Sequence, residues 1–411
     1  MKNRMQRGAA AEQVQLLLEE HSDDSRTPFS ASRMKHGSWR VRFARMQLHY
    51  KVLVLLGVAA IVYTSGLLLV ALGRFLLSSN SVASYDYSPL SSPHRLEDGS
   101  LVFRIAVVTD LDKESIIKSE DGKKAKWQSF FKKGKLIVSP DAESVSVDWG
   151  KGTPDISLKT ELANGGRAME LSDLVIFNHR LLTVDDRTGV IYEISNEKDV
   201  VPWLILGDGP GNVTKPFKGE WMTVKGEHLF VGGLGKEWTD EEGHYINDHP
   251  MWVKRIDRFG RVEHFPWVDN YKLVRGSMAI EWPGYMVHEA VQWSDVHQKW
   301  FFLPRRVSRE EYNEAADEGR GSNVLLSLDD SFSSPALVTR IGTQNTPSFR
   351  GFAAFQFVPG TKDTIIVALK SEERDGKPVA TFITAFDIEG NILMPDQPLI
   401  GSYKFEGLAF I

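Results

Sequence analysis

Five positions carry the first hint of chemistry. Ser172, Glu220, Glu289, Ala353 and Glu406 each stand near the start of a short apolar run: Ser172-Asp173-Leu-Val-Ile-Phe, Glu220-Trp-Met-Thr-Val, Glu289-Ala-Val-Gln-Trp, Ala353-Ala-Phe-Gln-Phe-Val and Glu406-Gly-Leu-Ala-Phe-Ile411. If the five starts converge, three carboxylates share one site. Carboxylates brought together must rise in pKa or share a cation. Hard oxygen donors, completed by backbone carbonyls at Ser172 and Ala353, suit Ca²⁺, which accepts roughly 6–8 oxygens in loose geometry. None of the five is a His or Cys, the donors zinc prefers.

A second set follows the partner runs. Asp110 and Asp112 end one of them, Asp185, Asp186 and Arg187 another, and Lys236 follows Gly232-Gly233. Arg305-Arg306 and Lys370-Ser371-Glu372 close the remaining two. A rim that mixes carboxylates with cations is what phosphoryl transfer needs: cations hold phosphate oxygens, and carboxylates orient the attacking water or a metal. Asp110, Asp112, Asp185 and Asp186 are the candidates for water, and Arg187, Lys236, Arg305, Arg306, Lys370 and Glu372 for substrate. Trp238 is a candidate platform for a base. Read alone, Arg305-Arg306 is a solvated pair and Trp238 is packing; their shared location gives them meaning. P-loop, GxSxG, HExxH and EF-hand patterns are absent from the sequence, and Gly232-Gly233-Leu-Gly235 lacks dinucleotide-loop spacing. Asp110-Leu-Asp112 is formally a DxD, which keeps a glycosyltransferase reading open, although that chemistry usually sits on alternating strands and helices.

The elements that position these residues are hairpins. From Leu101 onward, runs of Val, Ile, Leu, Phe and Trp are broken by Gly, Asp, Asn and Lys turns, as in Phe177-Asn178-His-Arg and Val224-Lys-Gly-Glu-His. First strands start at 172, 220, 289, 353 and 406, which leaves room in each interval for a hairpin plus two outer strands, the roughly 40–50 residues of a propeller blade. The last has no second strand of its own, and Arg104–Asp110 can supply it. The expected fold is therefore all-β: a five-bladed β-propeller closed by its N- and C-terminal strands, which hides two sheet edges. A sandwich or barrel is the competing architecture.

The rest of the chain gives that domain an address. Val52–Gly73 is 22 residues without a charge, long enough for a spanning helix. Arg33, Lys35, Arg40, Arg42, Arg45 and Lys51 precede it, and Arg74 follows it. The positive-inside rule keeps the N-terminus cytoplasmic. The expected layout is a tail over 1–51, a signal-anchor over 52–73, a Ser/Pro-rich stem over 74–100 and a lumenal domain over 101–411. Residues 1–51 carry ten Lys and Arg against five Asp and Glu, while 74–411 carry 39 against 49. That acidic excess makes nucleic acid a poor partner. Asn212-Val213-Thr214 is a glycosylation sequon, consistent with a lumenal face. The 411 residues include no cysteine, which excludes disulfides, thiolate metal sites and a cysteine nucleophile.

Several stretches also resemble the calcium-activated nucleotidase (apyrase) family: Arg104–Ser115, Met169–Asp173, Val184–Val190, Lys218–Trp221, Leu229–Trp238, His288–Glu289, Trp300–Arg306, Ile366–Glu373 and Phe405–Gly407. They span the whole expected lumenal domain and leave out the tail and the apolar segment. The resemblance implies a five-bladed propeller with Ca²⁺ in its tunnel, held by Ser172, Asp173, Glu220, Glu289, Ala353 and Glu406. Ala353 departs from the family's Ser. It also implies hydrolysis of nucleoside diphosphates, and to a varying degree triphosphates, in the Golgi or endoplasmic reticulum, with UDP and GDP as substrates left by glycosyl transfer. A catalytically silent calcium-binding scaffold is the other alternative, and homodimerisation is left open.

Overall fold

The computed structural model describes residues 38–77, 84–117, 125–152, 154–240, 242–343, 349–399, 401 and 403–411. The tail before Ser38 and residues 78–83 of the expected stem lie outside the described residues. Two units emerge, with their border at Ala83–Ser84. The first contains one helix, Ser38–Leu77, whose stretch His49–Val70 is long and apolar enough to cross a membrane. Its side chains from Val52 to Val70 are exposed, and the apolar residues lie on every face of the helix.

The second unit is all-β, with antiparallel sheets in a propeller-like arrangement. Four sheets have four strands each, in sequence order. The first runs through Leu171–Phe177, Arg180–Asp185, Val190–Ser195 and Asp199–Ile205, and the second through Trp221–Lys225, His228–Gly232, Trp252–Asp257 and Val262–Pro266. The third contains Tyr285–Ser294, Lys299–Ser308, Val324–Asp329 and Leu337–Arg340, and the fourth Arg350–Phe357, Ile365–Arg374, Lys377–Asp387 and Ile392–Pro398. Of the remaining two sheets, one is a two-stranded pair, Trp238–Thr239 with Tyr245–Asn247, and the other is larger, with seven strands. In it the C-terminal strand Lys404–Phe410 pairs with Leu101–Asp110, as Ile105 opposite Phe410 and Asp110 opposite Lys404. Leu101–Asp110 then pairs with Lys126–Val138.

Hairpin turns set the registers. In the first sheet Phe177 faces Arg180 across Asn178 and His179, whose φ values of 50° and 59° are those of a turn matched to strand twist. The first strands neighbour one another in a cycle: Leu171–Phe177 to Trp221–Lys225, to Tyr285–Ser294, to Arg350–Phe357, to Lys404–Phe410, and back. Between each successive pair of sheets lies one apolar cluster. Phe103, Ile105, Val367 and Leu369 fill the interface between fourth and closing sheets, and Trp221, Phe230, Trp300 and Phe302 that between second and third. Burial of side chains on both faces of every sheet explains the near-continuous apolar runs.

Residues 84–100 of the expected exposed stem are grouped with the sheets, and most of them are exposed. Tyr85 is buried beside Phe177, its ring centroid 5.4 Å away, and Asp86 N donates to Asn178 Oδ1 at 2.8 Å.

Candidate active site

Four of the five sequence-selected positions share a structural feature. Ser172 lies between the pairs Leu171–Asp185 and Asp173–Val184, and is the extra residue of a bulge. Glu289 is skipped between His288–Pro304 and Ala290–Leu303, Ala353 between Phe352–Lys370 and Ala354–Leu369, and Glu406 between Gly407–Val108 and Phe405–Thr109. Glu220 immediately precedes its strand, its N–H donating to Gly232 O at 2.8 Å. A bulge bends the strand and re-aims the extra side chain. The same local break therefore recurs at the same height in four first strands.

Glu220, Glu289 and Glu406 line one cavity of about 350 Å³ together with Asp110, Asp112, Asp186, Arg187, Lys236, Arg305 and Arg306. The expected axial and rim sets are thus two walls of a single site. Arg305, which is 5% exposed, ties three sheets together: its Nη1 donates to Glu289 and, at 2.9 Å, to Glu406 Oε1, while Nη2 donates to Glu373 Oε2 at 2.6 Å. Lys404 Nζ lies 2.7 Å from Asp110 Oδ2, 2.9 Å from Asp112 Oδ2 and 3.7 Å from Glu406 Oε1. Lys218 pairs with Asp186 and lies 2.6 Å from Glu220 Oε1, without the alignment of a hydrogen bond.

Burial dominates the electrostatics. It pushes Glu220 up to about 8, against the opposing pull of Lys218, and raises Glu289 and Glu406 as well. Glu170 is also raised to about 8, by burial and then by the charges of Asp110 and Asp186. Burial would raise Glu373 too, but Arg305 and Lys404 hold it down at about 2. Its depressed value stabilises the fold above the ordinary glutamate range, and that contribution is lost as pH falls from about 4.5 to about 2. Glu373→Gln is expected to lower stability at pH 7 by roughly 3 kcal/mol at most and to flatten acid unfolding over that window. Glu372→Gln should leave both unchanged; equal acid profiles for the two variants in urea melts would refute the assignment.

The site has polar atoms awaiting partners. Ser172 Oγ and Glu220 Oε1 are buried without a hydrogen-bond partner, as are Asp186 Oδ1 and Arg187 Nε. The first two belong to the bulge tier. Unsatisfied buried oxygens beside carboxylates whose charged form burial disfavours fit a hard divalent cation; Glu220, Glu289 and Glu406 would hold it from the cavity wall, with Ser172, which does not itself line the cavity, next in the tier.

The chain spans most of the length of the proteins it resembles. The pattern of the family described as Apyrase matches residues 111–411. The chain belongs to the apyrase family. It is 50% identical over 353 residues to "Apyrase apy-1" of Caenorhabditis elegans, covering 86% of this chain and 95% of that one. It is 48% identical over 336 residues to "Soluble calcium-activated nucleotidase 1" of Rattus norvegicus, covering 82% of this chain and 80% of that protein. Similarity to "Apyrase" of Cimex lectularius is 43% over 323 residues, 79% and 86% of the two chains.

Within this family member, several sequence-selected residues stand outside the cavity. Asp185 is buried and accepts from Met169 N at 2.9 Å and Arg187 N at 3.0 Å, so it pins the turn beneath the site. Asp173 accepts from Leu174 N and Met222 N, both at 2.7 Å, and stitches the first sheet to the second. Ala353 is in the bulge tier but offers no side-chain donor. Lys370 serves Asn323 Oδ1 at 3.0 Å and Asp396 Oδ1 at 3.2 Å. Glu372 pairs with Arg350 and Arg374, while its neighbour Glu373 lines the cavity. Consecutive strand residues face opposite sides, so Glu373 and not Glu372 is on the cavity face; the extra residue of the irregularity beside them, Val379, is in the neighbouring strand. Trp238 stands under Lys215, whose Nζ is 4.0 Å from its ring, and does not line the cavity. Asn212 is exposed in its loop.

One group of residues that sequence reasoning missed lies two positions before the bulge tier. Glu170, Lys218, Val287 and Lys404 line the cavity, and Gly351 occupies the equivalent place in the fourth sheet. Residues i and i+2 share a strand face, so a step of two from each selected position finds them. At Gly351 a Cβ would meet Arg305 Cγ at 2.5 Å and Arg306 Nη1 at 2.7 Å, so its glycine makes room for both arginines. Arg167 also lines the site; its Nε donates to Glu170 Oε1 at 2.7 Å.

Proposed function

We propose that this chain is a calcium-dependent phosphohydrolase of nucleoside diphosphates, chiefly UDP and GDP, acting by direct attack of water. The observation that carries this reading is the convergence, in one cavity, of bulge-tier oxygens with a rim of aspartates and cations. The names of the calcium-activated relatives support the ion, and the donor set supports it independently. We further read the closing sheet as a fifth blade, since its strand Lys404–Phe410 completes the cycle of first strands. The apolar helix with its basic N-terminal flank supports a type II anchor that places the enzyme in the Golgi or endoplasmic reticulum lumen, where Asn212 would be glycosylated.

Ca²⁺ bound to Glu220, Glu289, Glu406 and Ser172 would supply positive charge toward the phosphates. The chain's own groups do the rest. Arg187 Nε, 3.8 Å from Glu170 Oε2 and without a hydrogen bond, is the donor for a terminal phosphate oxygen, aided by Arg306. Asp186 Oδ1 is the unpartnered acceptor; it orients the water and takes its proton as oxygen attacks phosphorus and the bridging P–O bond breaks. Lys218 holds the other Asp186 oxygen. Asp110 and Asp112, both on Lys404, fix the opposite wall. The products are a nucleoside monophosphate and phosphate.

Purified full-length chain in detergent should release phosphate from UDP, GDP and, more slowly, ADP, only with Ca²⁺ present. Sugar transfer from a nucleotide sugar without phosphate release would turn the reading toward a transferase. Calcium binding with every nucleotide left intact would make the molecule a scaffold.

A further inference from the structure

The cavity is charged along most of its wall, with one exception. Leu234, Val287 and Tyr312 form its nonpolar lining, and Tyr312 is the aromatic among them. They come from three segments: the loop after His228–Gly232, the start of Tyr285–Ser294, and the excursion that follows Lys299–Ser308. His288 N donates to Leu234 O at 2.9 Å, joining the first two. Tyr285, two residues before Val287, packs edge-on against Tyr312 with centroids 5.5 Å apart, joining the third.

Lys236 closes this corner. It is 6% exposed, and its Nζ lies 4.3 Å from the Tyr312 ring centroid. Its hydrogen bond is to the carbonyl of Glu237 at 3.0 Å, which leaves further ammonium protons to donate. Burial lowers it to about 8. Arginines and the other lysines of the cavity are held by carboxylates, as Arg305, Lys218 and Lys404 are. A nucleoside diphosphate has the same division, with an anionic end and a single planar, largely apolar end.

The geometry points to Tyr312, with Leu234, Val287 and the Lys236 ammonium, as the nucleoside subsite of this cavity. The base lies against the tyrosine corner, and Lys236 donates to an oxygen of base or ribose. The role that sequence reasoning gave to Trp238 thus passes to Tyr312. This inference rests on the phosphohydrolase reading above and adds which end of the substrate sits where.

The test compares Tyr312→Ala, Tyr312→Phe and wild type in the full-length chain with Ca²⁺. Two quantities are read: KM for UDP, and Ki of inorganic pyrophosphate as a base-free competitor. Loss of one base-stacking contact should raise KM for UDP about tenfold or more in Tyr312→Ala. The pyrophosphate Ki should stay within about twofold of wild type, and Tyr312→Phe should keep a near-native KM. Unchanged KM in Tyr312→Ala, or KM and Ki rising together, would overturn the subsite. A wild-type chain that hydrolyses no nucleotide would instead remove the underlying reading, and this one with it.

Discussion

Glu289→Gln/Glu406→Gln is expected to lower kcat/KM for nucleoside diphosphates by about three orders of magnitude or more at fixed Ca²⁺. The two residues come from the third and closing sheets, and each is the extra residue of a bulge that turns it into the cavity. Glutamine keeps size and shape but removes two of the three bulge-tier charges, and hard-cation affinity falls steeply with ligand charge. The variant also leaves the Arg305 guanidinium short of two partners. Activity alone would not separate those effects, so the discriminating readout is thermal. Wild type should gain stability with Ca²⁺, by about 2.7 kcal/mol at a hundred times its Kd, and the double variant should gain none. A calcium-induced shift in melting temperature that survives in the variant would place the ion elsewhere.

Arg305→Met is expected to destabilise the calcium-free protein by roughly 3–5 kcal/mol. Arg305 contacts Glu289, Glu373 and Glu406, which arise from three sheets and are 11%, 21% and 5% exposed at the side chain. Deleting one partner of a buried network strands the other charges in a poorly solvated place. The carboxylates would respond by taking up protons, so the loss should be smaller at acid pH and larger at alkaline pH. Arg305→Lys keeps the charge but cannot reach three carboxylates with a fork, and should fall between the two. Urea melts in EDTA give the number. A loss under about 1 kcal/mol would mean the network contributes little to holding the sheets together.

Much of this site was legible in the sequence because propellers repeat. Equivalent positions in successive hairpins converge, so Glu220, Glu289 and Glu406 could be found by aligning hairpin starts. What the alignment could not show is the bulge that aims Glu289 and Glu406, since the ladder break depends on both strands. Glu372 was one residue out of step: its neighbour Glu373, on the other face of the strand, is the one that lines the cavity. Trp238 fits the pattern of a rim aromatic for a base, yet it stacks under Lys215. Tyr312 lies in an excursion between strands, where no periodicity marks it. Glu170, Lys218 and Lys404 are marked only by the two-residue alternation of strands, one step before the tier that the hairpin starts define. The stem reads as exposed from its Ser and Pro content, and Tyr85 is the exception, a large aromatic seated beside Phe177.

The missing cysteines acquire a meaning from the fold. The strand pairing of Lys404–Phe410 with Leu101–Asp110 joins the chain's two distant segments without a covalent link. Ion pairs at the centre then supply cross-links between sheets, and a calcium ion bound there would add to them. Reducing agent should therefore leave the melting temperature unchanged.

One titration tests the central claim most directly. Phosphate release from UDP is followed as free Ca²⁺ is raised from EDTA-buffered levels, alongside equilibrium calcium binding to the same preparation. The account predicts that activity appears with the same half-saturation as binding, and that Glu406→Gln shifts both together to higher calcium. Release that persists at full rate in EDTA, or binding that Glu406→Gln leaves untouched, would contradict it.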